Sequence, residues 1–145
     1  MFKHVLLPTD GSKLSETAVR RGVQFAKSIN ARVTGCSVVP RLHFFHYDSD
    51  MPTTMKDQAI QECKQQSENH LDFVRRTAKE AGVACDTVCG TDDQVYVAII
   101  DAAERQGCDL IMMASHGRRG VSGLLIGSET QKVLTHSKIP VLVYR

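Results

Sequence analysis

The chain has 145 residues and a net charge of +2 at pH 7, with 42% hydrophobic and 23% charged residues. That balance suits one globular domain, residues 1–145, with a core of its own. The charge is too small for the electrostatic footprint of a nucleic-acid binder, and no apolar run approaches a membrane span. Met1-Phe2-Lys3-His4 leads into a strand-like segment without signal-peptide architecture, so a soluble cytoplasmic protein is expected.

His4-Val5-Leu6-Leu7 reads as a short buried strand closed by Pro8. From Ser12 to about Ser28 the apolar positions Leu14, Ala18, Phe25 and Ile29, with Gly22 on the same stripe, have helical spacing. Ser12 is the expected N-cap and Asn30 the left-handed stop. Arg32 to Val39 is a second strand ended by Pro40. Lys56 to Ala81 is a long amphipathic helix with Ile60, Cys63, Ser67, Leu71, Val74, Ala78 and Ala81 on one stripe, ended by Gly82. Val83 to Cys89 is a third strand. Thr91 and Gln94 suggest a capping box for a helix through Val95, Ile99, Ala102 and Ala103, stopped at Gly107. Asp109 to Ala114 is a fourth strand, Gly127 or Ser128 opens a last helix, and Ile139 to Tyr144 is a fifth strand.

Strands that are apolar runs separated by helices imply a parallel sheet covered on both faces. Right-handed crossovers make it an α/β doubly wound, Rossmann-like fold. Ligands bind such sheets beyond the carboxyl ends of the strands, where the winding reverses. Two loops are expected to meet there: Pro8-Thr9-Asp10-Gly11-Ser12 and Ser115-His116-Gly117. The five cysteines Cys36, Cys63, Cys85, Cys89 and Cys108 are odd in number and hold no C-x-x-C pair, which favours buried small hydrophobes over a metal or redox centre.

The chemistry concentrates in the two loops. Asp10 either accepts hydrogen bonds from ribose hydroxyls or holds a Mg²⁺ that bridges phosphates, or it makes an Asx turn for the following helix. The stretch after the fourth strand holds Gly117, Gly120 and Gly123 with Arg118 and Arg119. Its length exceeds that of a plain connection. A glycine loop feeding a helix start turns backbone N–H groups and the helix dipole towards one anion. Arg118 and Arg119 can pair with phosphate oxygens, and Ser128 can donate its hydroxyl and N–H. Walker A and G-x-G-x-x-G patterns are absent. His43 to Asp50 carries two histidines and two carboxylates. It reads either as a weak metal set or as a segment covering a ligand or partner.

Together, Pro8-Thr9-Asp10-Gly11-Ser12, Gly117 followed by nine residues and Gly127-Ser128, and Ile139-Pro140-Val141-Leu142-Val143 resemble the universal stress protein family over Lys3 to Arg145. The resemblance implies a five-stranded sheet in the order 3-2-1-4-5. It also implies the nucleotide-binding branch, marked by G-x-x-G, nine residues and G-S/T. This chain reads Ala114-Ser115-His116-Gly117 in the first block, which is harmless if only a backbone N–H matters and harmful if a positive φ is required.

The resemblance places Asp10 at the ribose or at the phosphates and metal, and the Val38 backbone at the adenine edge. Gly117, Gly127 and Ser128 would hold the phosphates. Pro8, Thr9, Ala114 and His116 complete the implied site from the loops, and Arg118, Arg119, Glu129 and Thr130 from the helix approach. The implied ligand is ATP with Mg²⁺, and the implied assembly is a homodimer through the apolar last strand, an edge prone to pairing.

No second group is evidently placed to activate a nucleophile beside Asp10. The expected function is therefore stress-response regulation or sensing, with at most slow ATP hydrolysis. The alternatives are a dimeric interaction module that no longer binds nucleotide, and an adenylating or pyrophosphate-releasing enzyme. No nucleic-acid or membrane partner is expected.

Overall fold

Apolar runs and turn residues place the elements seen in the computed structural model, which describes residues 1–39, 41, 52–118 and 126–145. In chain order they are β1 (His4–Pro8), α1 (Lys13–Ser28), β2 (Arg32–Val39), α2 (Thr53–Ala81), β3 (Cys85–Thr91), α3 (Val95–Gln106), β4 (Leu110–Ala114), α4 (Ser128–His136) and β5 (Val141–Tyr144). All strand pairings are parallel, and the sheet order is β3-β2-β1-β4-β5. This is the expected α/β doubly wound architecture. The winding reverses between β1 and β4, which opens a crevice at their carboxyl ends.

Alternation along the central strands separates two core layers. Val5, Leu7, Val33, Leu110 and Met112 pack on Val19, Val23 and Ala26 of α1 and on Val74 and Ala78 of α2. Leu6, Cys36, Ile111 and Met113 pack on Ile99, Ala102 and Ala103 of α3 and on Val133 of α4. Both layers run to the middle of the sheet, so β1 and β4 are buried throughout.

The first three helices end alike. Asn30, Gly82 and Gly107 take left-handed conformations. The next N–H groups, of Ala31, Val83 and Cys108, donate to Ala26, Ala78 and Ala103 at 2.8, 2.9 and 2.8 Å, a Schellman pattern whose apolar last residue is buried. This corrects the expected start of the third strand. The Val83 N–H is committed to closing α2, so β3 begins only at Cys85. β5 likewise begins at Val141 and not at Ile139, whose N–H bonds the Ser137 hydroxyl at 3.1 Å. α2 starts earlier than expected, at Thr53.

The expected Thr91–Gln94 capping box does not form, because Thr91 ends β3 and Gln94 caps α3 without a side-chain bond. A carboxylate from elsewhere replaces it: Tyr96 N–H donates to Glu129 Oε2 of α4 at 3.0 Å. Ser12 is the N-cap of α1 as expected, its hydroxyl accepting from the Ser15 N–H at 3.2 Å.

Cys36 and Cys108 are buried, and burial pushes their thiols up to about 12 and about 11. That fits inert packing. Cys89 departs from this pattern: it lies exposed on the edge strand β3, its sulfur 3.2 Å from the Ser67 hydroxyl.

Candidate functional site

The β1–α1 loop begins where Thr9 N–H donates to the Cys36 carbonyl at 2.8 Å, past the last β1–β2 rung at Pro8–Cys36. Pro8 and Thr9 are buried here. The Thr9 hydroxyl lies 3.0 Å from the Ser15 hydroxyl and accepts from the Gly11 N–H at 3.2 Å, so Thr9 shapes the turn.

Asp10 fulfils both readings of its sequence position. Oδ1 accepts the Ser12 N–H at 3.0 Å, an Asx turn. Oδ2 crosses the crevice and accepts the Arg118 N–H at 2.8 Å. Burial pushes the carboxyl pKa up, but hydrogen bonds from Ser12, Arg118 and Ser15 outweigh it and hold Asp10 below the ordinary carboxylate value. A half-buried, ionised carboxylate thus ties the two loops together, with lone pairs left to accept from hydroxyl groups or a cation.

The second loop leaves β4 at Ala114. Among the described residues the only non-glycine with positive φ is Asn30. Ala114 therefore needs no special conformation, and its departure from glycine carries no backbone penalty. Buried Ser115 donates its N–H to the Tyr144 carbonyl of β5 at 2.8 Å and accepts the Gly127 N–H on its own carbonyl at 2.6 Å. The His116 ring nitrogen Nδ1 is 3.2 Å from the Ser115 hydroxyl.

Close approach, not unusual φ, explains the two motif glycines. A Cβ on Gly117 would overlap Asp10 Oδ2, and one on Gly127 would lie 3.1 Å from the Cα and Cβ of His116. Arg119, Gly120, Gly123 and the segment His43 to Asp50 lie outside the described residues. Among the described residues no three His, Cys, Asp or Glu side chains gather into a metal set.

Gly127 N-caps α4, and the first intrahelical bond is Gln131 N–H to the Gly127 carbonyl at 3.0 Å. The N–H groups of Ser128, Glu129 and Thr130 precede that bond and have no intrahelical acceptor, so the helix start presents donors and its positive dipole end. The side chains divide the work. Ser128 is exposed. Glu129 caps α3, and the Thr130 hydroxyl donates to the Ala114 carbonyl at 2.9 Å, locking α4 to β4.

Val38 occupies the third corner. Cys36 directs its carbonyl to β1, while Val33 directs its N–H to the β3 side, onto the Ala84 carbonyl at 2.9 Å. The two-residue alternation turns the Val38 peptide groups towards β1, beyond its last rung.

One neighbour of the site carries no signal in the local sequence. His70 of α2 lies against the Gly11 backbone, where a Cβ would overlap its ring. Its spacing from Ser67 and Val74 puts it at the edge of the sheet-facing stripe, but only the tertiary packing brings it to Asp10.

A family model described as universal stress protein family matches residues 1–145. The universal stress protein MJ0531 of Methanocaldococcus jannaschii is 30% identical over 146 residues, which cover 100% of this chain and 83% of that protein. The solved structure of MJ0577 from the same organism superposes with a TM-score of 0.82 at 24% identity, covering 99% of this chain and 95% of that one. A universal stress protein solved in complex with cAMP gives a TM-score of 0.73 at 23% identity, covering 99% and 97%.

Proposed function

The chain belongs to the universal stress protein family, and from that premise we propose that it binds an adenine nucleotide, ATP in the first place, as a stress-response regulator or sensor. The observation that carries the reading is the bond from the Arg118 N–H to Asp10 Oδ2 across the crevice, beside the Gly127–Ser128 helix start. It sets an acceptor for ribose hydroxyls next to a row of phosphate donors.

The Val38 peptide groups face the same opening and offer one donor and one acceptor, the complement of an adenine edge. Gly117 and Gly127 let the two loops close on each other, and Ser128, Glu129 and Thr130 offer N–H groups to the phosphates. A Mg²⁺ would be held by Asp10 and the nucleotide's own phosphates. The relative bound to cAMP supports an adenine ligand on this scaffold.

Regulation is favoured over catalysis because both oxygens of Asp10 are engaged by backbone N–H groups and its pKa is held low. A carboxylate so stabilised is a weak general base, which leaves slow hydrolysis at most. The edge strand β5, half-buried along Val141–Tyr144, fits pairing with a second copy.

The test is direct. Protein purified without added ligand is denatured and the released small molecules are identified, and ligand-free folded protein is titrated with Mg-ATP. Adenine nucleotide in the release, or micromolar affinity in the titration, is expected. Absence of both would sink the reading.

A further inference from the structure

We propose that the groove between α1 and α2 is a docking surface for an acidic segment, rich in Asp and Glu, of a partner protein. The surface is separate from the crevice and shares none of its residues, so the proposal does not depend on the nucleotide reading.

The positive charge of the chain is concentrated on one helix. α1 carries Lys13, Arg20, Arg21 and Lys27 against the single acid Glu16, a charge of +3, which exceeds the +2 of the whole chain. α2 carries as many acids as bases, α4 one of each, and α3 two acids against Arg105. Elsewhere on the helices cations stand beside carboxylates: Arg76 lies 3.1 Å from Asp72, Arg105 3.0 Å from Asp101 and Lys132 3.1 Å from Glu129. Among the described residues none of the four basic side chains of α1 forms an ion pair. Lys27 stands in the last turn, where the helix dipole favours a cation. Arg20 and Arg21, in mid-helix, have no such reason.

Three of these cations converge on one hollow. Arg20, Arg21 and Lys27 are exposed and line a groove of about 530 Å³, whose other wall is Thr77, Glu80 and Ala81 of α2. The Arg20 guanidinium lies over the Phe73 ring of α2, 4.9 Å from its centroid. A guanidinium held by its face keeps its N–H edge free for a carboxylate. Lys27 also borders a second hollow of about 290 Å³ that runs on to Asn30 and Arg32. From Arg20 to Lys27 the helix rises about 10 Å. The cations thus form a row, which fits the successive carboxylates of a chain better than one small anion.

The remaining groups of the groove select the kind of chain. Gln24 brings both a donor and an acceptor, and Glu80 brings acceptors only. A phosphate backbone, which also offers acceptors, is repelled by Glu80 and leaves it unmatched. A peptide supplies backbone N–H groups to Glu80 and carboxylates to the arginines. Docking of this kind is steered by charge and weakens as salt screens it.

The experiment is fluorescence anisotropy of a labelled peptide of alternating glutamate and glycine, about twelve residues long and so able to span the row, titrated with the whole chain. Saturable binding at low salt is expected, weakening about fivefold or more at about 0.2 M salt. Arg20→Glu and Arg21→Glu, each with a retained circular dichroism spectrum, should weaken it about tenfold or more. Arg105→Glu makes the same change in net charge on α3, which packs against the opposite face of the sheet, and should leave binding within about twofold. Unlabelled oligothymidylate of equal charge and vesicles containing phosphatidylserine should displace the peptide poorly. Lack of saturable binding at low salt, or an equal loss in Arg21→Glu and Arg105→Glu, overturns the docking surface. Displacement by the oligonucleotide or the vesicles at lower concentration than by unlabelled peptide overturns the acidic segment as its occupant.

Discussion

Two aspartates bridge β1 and β4, one at each end of the strands. At the amino end Asp109 accepts the Lys3 N–H on Oδ2 at 2.8 Å and the His4 N–H on Oδ1 at 3.0 Å. At the carboxyl end Asp10 accepts the Ser12 and Arg118 N–H groups at 3.0 and 2.8 Å. Both carboxyls are held below the ordinary value by these bonds in spite of burial. The chemistry is the same and the surroundings are not. Asp109 stands where strands begin, beside buried His4. Asp10 faces two close-packed glycine loops, a helix start and His70. The difference teaches that a bound carboxylate marks a site only where the fold turns other donors towards the same space.

The largest expected effect comes from closing that space. Gly117→Val drives a side chain into Asp10 Oδ2, and Mg-ATP affinity by calorimetry should fall by about a hundredfold or more, near 2.7 kcal/mol, while the circular dichroism spectrum is retained. A variant that folds and binds normally would show that the two loops do not close on a ligand.

The next prediction exchanges the two aspartates. Asp10→Asn should weaken nucleotide binding about tenfold, since its oxygens lose charge at the ligand. Asp109→Asn should leave binding unchanged and lower the urea-unfolding free energy by about 1 kcal/mol. The same outcome for both variants would erase the distinction between the ends. Glu129 sharpens it further. Its carboxylate caps α3, so Glu129→Ala should lower stability by about 1 kcal/mol while changing affinity little.

Acid separates the ends by titration. A carboxyl with a depressed folded pKa contributes stability that is present above the unfolded value of 3.8 and is lost as pH falls through the folded value. Urea midpoints should therefore drop below about pH 4, and Asp109→Asn should flatten that limb. His4 acts at higher pH. Burial, then Arg32, lowers its pKa, and among the described residues its Nδ1 makes no hydrogen bond. The unfolded chain therefore binds that proton first, and stability should already decline as pH falls below 6.5. A flat stability profile between pH 7 and 5 would contradict this account. The smallest effect is expected at the exposed Arg105–Asp101 pair, 3.0 Å apart on α3, where Arg105→Ala should change the unfolding free energy by no more than about 0.5 kcal/mol.

Much of this was legible in the residues. The apolar runs at Val5–Leu7 and Leu110–Met113 and the stripe on α2 express local periods, and local periods specify strands, helices and a parallel sheet. Ser12, Asn30, Gly82 and Gly107 declare helix ends through their own backbone and side-chain preferences. The motif around Gly117 and Gly127-Ser128 pointed to an anion for the same reason, since a strand, a small-residue loop and a helix start are consecutive in the chain.

What escaped reading involves partners far apart in sequence. The Thr91–Gln94 box failed because β3 pairing claimed Thr91 and a carboxylate from α4 supplied the cap. Val83 looked like strand and became the end of a helix. Nothing local marks that Gly117 is small to admit a carboxylate, or that His70 reaches Gly11 from a helix begun after β2. By itself the sequence determined the elements, their order and the existence of an anion-presenting turn, because those follow from short-range sterics and the period of hydrophobic residues. Only the tertiary structure decided which side chains share a space, because their electrostatics and close contacts arise when the winding reversal between β1 and β4 brings remote loops together.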